Sequence, residues 1–128
     1  MTKQIETGQL LNELKQFTGT EQYYKFSMLF KEQLTDGMKY LCETVQCYWL
    51  MDIVGSVQNL EKIKDNNSFI LWKIEVNKKD NTGVVKALSD TEGTGDLLYE
   101  QEIPYTDFPL ESFEFFQCDN VIMLKGEY

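Results

Sequence analysis

Partway along the chain the spacing of the apolar residues changes, and no other feature constrains the fold as much. Leu34, Met38, Leu41 and Val45 recur at i, i+4, i+7 and i+11, the interval that stacks side chains on one face of a helix. Leu50, Ile53, Val54 and Val57 extend the stripe after a break near Gln46 and Cys47, as one kinked helix or two short ones. In FILWKIEV, from residue 69, the period falls to two. Ile70, Trp72, Ile74 and Val76 take one face, Lys73 and Glu75 the other, as in a half-buried strand. Helices first and strands afterwards specify an α+β fold in which a sheet lays one face on the helices.

The flanking segments complete this pattern. Thr7 offers a cap ahead of Leu10, Leu14 and Phe17, with Leu11 alongside, before Gly19 ends a short amphipathic helix. TEQYYKFSMLF is rich in aromatics without a helical stripe and reads as an extended segment or a first strand. Thr35 or Asp36 caps the central helix, and LEKIKDNNS closes the helical half. NKKDNTG then turns FILWKIEV back into VVKAL, and the loops SDTEGTGD, PYTDFPL and QCDN separate the further strands LLYEQEI, ESFEFF and VIML. The pattern predicts N-terminal helices packed on one face of an antiparallel sheet of about four to five strands, arranged as a meander. It also predicts one domain over residues 1–128, mainly helical in 1–60 and mainly stranded in 68–128.

A chain of 128 residues with 42% apolar content buries one core without disulfides or metals. Cys42, Cys47 and Cys118 are odd in number and irregularly spaced, as in reduced thiols. On a continuous helix Cys42 and Cys47, five apart, point away from each other. Histidine is absent, which removes the commonest general base and the commonest metal ligand together. No metal site and no cofactor are expected. Arginine is absent too, so nothing supplies a planar fork for guanine or phosphate. With a formal charge of −9, direct nucleic-acid or membrane binding is disfavoured. The first residues, MTKQIETGQL, have no apolar run of the secretory kind, and a cytoplasmic location is expected.

The charge is uneven. Residues 1–79 balance ten acids with ten lysines, whereas residues 80–128 carry eleven acids and two lysines. Glu100, Glu102, Asp107, Glu111 and Glu114 are the expected partner-binding acids, with Asp90, Glu92 and Asp96 in the loop before them. Glu100 and Glu102 share a strand face about 6.6 to 6.8 Å apart, from a rise of about 3.3 to 3.4 Å per residue. Tyr24, Tyr40, Tyr48 and Trp49 are the candidate wall of a small-ligand pocket, against the simpler reading that they pack in the core. Asp36, Asp52, Asp107 and Glu21 are the carboxylates available for acid–base work or for holding Mg²⁺, although their spacing does not bring them together. No phosphate-cradling loop or nucleophile elbow is present in the sequence.

Over nearly its whole length the chain resembles a family of small single-domain proteins of unknown function from bacteria, phages and mobile elements. The resemblance is carried by Phe-x-Gly-Thr-Glu (Phe17 to Glu21), Thr-Asp-Gly (Thr35 to Gly37), Tyr-Trp-Leu (Tyr48 to Leu50), Thr-Asp-Phe-Pro (Thr106 to Pro109) and Glu127-Tyr128. It implies a histidine shortly after the Tyr-Tyr pair, where this chain reads Tyr23, Tyr24, Lys25, Phe26. Any catalysis resting on that histidine is therefore absent here. The resemblance implies no reaction. Together with the acidic C-terminal part, it favours a non-enzymatic protein-binding module that engages a basic surface, as an anti-CRISPR-like inhibitor of a host nucleic-acid-handling or defence complex would. The alternatives are a small-ligand or metal-dependent enzyme that uses the carboxylates beside the aromatic wall, and an accessory subunit ordered only in an oligomer.

Overall fold

The computed structural model describes residues 6–89 and 95–128. Four helices, α1 (Thr7–Leu14), α2 (Asp36–Val45), α3 (Tyr48–Ser56) and α4 (Glu61–Asn66), lie against one sheet. Its strands are β1 (Tyr24–Lys25), β2 (Gln33–Leu34), β3 (Ile70–Asn77), β4 (Thr82–Leu88), β5 (Leu97–Ile103), β6 (Ser112–Cys118) and β7 (Val121–Leu124), in the order β1-β2-β7-β6-β3-β4-β5.

The sheet thus has seven strands and is mixed, which corrects the expectation of four to five antiparallel ones. The two additional strands are two residues long, too short for any hydrophobic period to reveal. Tertiary pairing makes them: Gln33 N–H donates to Asn120 O at 2.8 Å and Thr35 N–H to Ile122 O at 3.1 Å, which sets β2 parallel to β7. The meander is corrected as well. β3, β4 and β5 follow one another as neighbours, but β6 returns to lie beside β3, giving a Greek key. The return segment, residues 104–111, crosses the β3–β4 turn, where Thr106 N–H donates to Asn81 O at 2.7 Å and Lys78 Nζ to Phe108 O at 2.6 Å.

The core forms where the helical stripes meet the inner face of the sheet. Leu10, Met38, Leu41, Leu50 and Val54 pack with Ile70, Trp72, Ile74, Val85, Phe115 and Ile122, all fully buried. At its centre the indole of Trp72 donates to Gln117 Oε1 at 3.0 Å, and the amides of Gln117 and Gln58 bond reciprocally at 3.0 and 2.8 Å. Gln117 is fully buried, and all its polar atoms have partners. The opposite face of the sheet presents Lys73, Glu75, Lys86, Glu100, Glu102 and Glu114, and at its β6 side the rings of Phe69 and Tyr128 pack on Phe116.

The helix α2 begins as its sequence directs and ends where the sequence gives no such signal. Thr35 caps α2, its hydroxyl accepting Met38 N–H at 3.4 Å, and Gln46 closes the same helix in the left-handed region at φ 59°. This closure divides the apolar stripe into α2 and α3. It also reverses the expected separation of the two thiols. Cys47 N–H donates to Cys42 O at 3.1 Å in a Schellman closure, whose apolar contact brings the buried side chains of Cys42 and Cys47 together.

Candidate functional site

Three stretches far apart in sequence meet at the N-terminus of α2. The Glu127 carboxylate accepts the Thr35 hydroxyl at 2.6 Å and Leu124 N–H at 3.0 Å on one oxygen, and Gly37 N–H at 3.0 Å on the other. A helix N-terminus offers unpaired amides and a positive dipole end, and Glu127 satisfies both. Gly37 is what admits it, because a Cβ there would lie 2.6 Å from Glu127 Oε1 and 2.5 Å from Leu124 Cδ1. On the other flank Asp36 N–H donates to Thr20 Oγ1 and Glu21 N–H to Asp36 Oδ2, both at 2.9 Å. The Glu21 amide foremost, and then the Tyr24 hydroxyl, hold the Asp36 carboxyl below the usual carboxylate range, while that carboxyl holds the Tyr24 phenol above its own.

Of the aromatic candidates, Tyr24 is therefore tied to Asp36, and Lys39 Nζ stands 5.0 Å above its ring. Tyr40 donates to Glu13 and stacks near Phe17 at 5.3 Å, which joins α2 to α1. Tyr48 is exposed at the start of α3, and Trp49 rests half-buried on the core. No ring contact among the described residues joins any two of these four. Asp52 is exposed on α3, Asp107 is exposed on the return segment, and Glu21 is exposed beside Asp36. No group of three Cys, Asp or Glu side chains converges as a metal site among the described residues.

The acidic candidates divide by partner. Glu100 and Glu102 stand exposed on edge strand β5, on the open face of the sheet. Lys86 is directly across from Glu100, yet its ammonium turns to Glu75 at 3.1 Å, which Lys73 also approaches at 3.8 Å. Glu114 pairs with Lys125 at 2.8 Å. Glu100, Glu102, Asp107 and Glu111 form no ion pair among the described residues. Asp107 lies between the buried Thr106 and Phe108, and Glu111 follows the buried Leu110, on the return segment that crosses the β3–β4 turn. Asp90 and Glu92 lie outside the described residues.

A model of a protein family covers residues 8–128 of this chain. The chain belongs to the family of unknown function DUF6876. Comparison with curated proteins and with solved structures gives no match. For this DUF6876 domain, function is therefore read from the site chemistry. No helix of the described residues is long and apolar enough to cross a membrane.

Two features escaped sequence reasoning. The capping role of Glu127 has no local signal, because its partners Thr35 and Gly37 lie 92 and 90 residues away. The diversion of Lys86 to Glu75, which leaves Glu100 unpaired, depends on β3 and β5 flanking β4.

Proposed function

We propose that this DUF6876 domain is a non-enzymatic protein-binding module whose acidic sheet edge engages a basic surface. In its concrete form it is encoded by a phage or mobile element and inhibits a host nucleic-acid-handling or defence complex, as anti-CRISPR proteins do. The observation that supports this reading is the pairing pattern around β4. The lysines of the open face are spent on Glu75, and Glu100 and Glu102 at the edge keep uncompensated charge facing solvent. Like charges held on a rigid strand steer a complementary partner, and they do so less as salt shortens the Debye length from about 10 Å at 0.1 M to about 3 Å at 1 M. The absence of histidine removes the commonest general base, which fits binding as the role.

The test is capture from a bacterial lysate by the tagged domain at low and high salt, in parallel with a Glu100→Lys/Glu102→Lys variant. A basic nucleic-acid-handling protein retained at low salt, released at high salt and lost by the variant is the expected result. Retention of the same proteins regardless of salt and of charge reversal overturns the electrostatic reading.

A further inference from the structure

At the other end of the sheet, the loop between β1 and β2 holds two large apolar side chains in water. Gly55 of α3 lets Phe30 lie directly against the helix, since a Cβ there would stand 2.5 Å from Phe30 Cδ2, and Phe26 packs on Phe30 at 6.0 Å. With these rings turned inward, Met28 and Leu29 turn outward, 99% and 85% exposed. Glu32 follows at only 2% exposure. No lysine among the described residues lies within ion-pair distance of its carboxyl, and no donor of the described residues bonds to it. Every fully enclosed side-chain oxygen of the described residues has a hydrogen-bond partner. The exposed remnant of Glu32 is therefore its carboxyl, and Glu32 lines a cavity of about 390 Å³ together with Leu29, Phe30, Lys31, Gly55, Ser56, Gln58 and Asn59.

A carboxyl withdrawn from bulk water is stabilised by a cationic donor far more than by a neutral one. The cavity is apolar at Leu29 and Phe30 and is lined by Glu32, and Lys31, which also lines it, keeps its ammonium beyond ion-pair distance of the Glu32 carboxyl, so the acid is left to complement a side chain with an aliphatic stem and a charged head. We infer that this cavity receives a lysine or arginine side chain of a partner protein, while an apolar neighbour of that residue covers Met28 and Leu29. The inference rests on the reading of the chain as a protein-binding module and adds a contact separate from the β5 edge, since β1 and β5 are opposite ends of the sheet. Arginine in a desolvated pocket is, with tryptophan and tyrosine, among the residues that dominate interface energetics.

The test is a titration of isotope-labelled full-length protein, followed by backbone amide shifts. The probes are the dipeptide acetyl-leucyl-arginine amide, its neutral citrulline analogue, and methylguanidinium alone. The expected result is saturable shifts confined to Leu29–Glu32 and Gly55–Asn59, with binding at least about tenfold weaker for the citrulline peptide and for Glu32→Gln. Leu29→Ser, a surface change that leaves folding intact, weakens the arginine peptide and carries the test if Glu32→Gln fails to fold. Equal binding of the citrulline peptide, indifference to both substitutions, or methylguanidinium matching the peptide overturns the inference, as does the absence of any shift. Shifts confined to Glu100 and Glu102 overturn it while supporting the acidic edge, so the two readings fail separately.

Discussion

Replacing Glu127 with glutamine tests whether the C-terminal carboxylate closes the fold. The substituted side-chain amide keeps one oxygen for Thr35 and Leu124 but sets an NH₂ group against Gly37 N–H, where Oε2 of Glu127 now accepts at 3.0 Å. Gly37 is buried, so its amide has no ready access to water. An orphaned buried donor costs about 1–3 kcal/mol, and removing a negative charge from a helix N-terminus costs about 0.3–1 kcal/mol more. A total of about 1.3–4 kcal/mol in a chain of this size lowers Tm by about 4–20 °C, from about 3–5 °C per kcal/mol. Thermal and urea unfolding, followed by tryptophan fluorescence and circular dichroism, measure it. A double-mutant cycle with Thr35→Val makes the assignment specific, because the 2.6 Å bond between the two predicts a coupling of about 1 kcal/mol or more. A Tm loss below about 2 °C, or additive effects of the two substitutions, refutes the joint as a stabilising contact.

The Asp36 carboxyl is held below its ordinary value of 3.8 by the Glu21 amide first, and the Tyr24 phenol is held above 10.0 by Asp36 first. The first contribution is present above pH 3.8 and is lost as pH falls through the folded value; the second is present below pH 10.0 and is lost as pH rises through the folded value. Urea midpoints against pH should therefore fall at both ends, with Tyr24→Phe flattening the alkaline limb and Asp36→Asn flattening both. Thiol labelling should find only Cys118 reactive in the native state, and slowly, because burial pushes its thiol up. Cys42 is pushed up further by contact with Cys47, and both are fully buried, so native labelling of either would contradict the closed core.

How much of this was legible follows from which forces act locally. Of the five longer strands, β3 announces itself by alternation and the other four by the turns that bound them, and Thr35 announces the start of α2 by its capping chemistry. β1 and β2 do not, since two residues have no period and their existence depends on Asn120 to Ile122 arriving alongside. The place of β6 beside β3 was hidden for a related reason: inward-facing Phe113 and Phe115 satisfy alternation equally well next to β5. The separation expected of Cys42 and Cys47 assumed an unbroken helix, whereas Gln46 adopts a left-handed conformation that sequence favours only for glycine or asparagine. At the candidate site, the shared face of Glu100 and Glu102 was legible from the period of two. The engagement of Lys86 by Glu75 was not.

The stretches Phe17 to Glu21, Thr35 to Gly37 and Glu127 to Tyr128 meet at one joint, and their principal polar groups find partners within the chain. Thr20 and Asp36 bond across one flank and Thr35 and Glu127 across the other, while Tyr128 sets its ring against Phe69 and Phe116 at 5.2 and 5.4 Å. Side chains so engaged hold α2 to the sheet and have little chemistry left to offer a ligand. Unspent chemistry lies at the two ends of the sheet instead: the unpaired Glu100 and Glu102 on β5, and the enclosed Glu32 behind Met28 and Leu29. Substitutions at the joint should therefore lower the melting temperature while leaving binding by the folded fraction intact. Substitutions at Glu100, Glu102 or Leu29 should do the reverse. If a joint variant lost binding at temperatures well below its melting point, that division of labour between closure and recognition would be wrong.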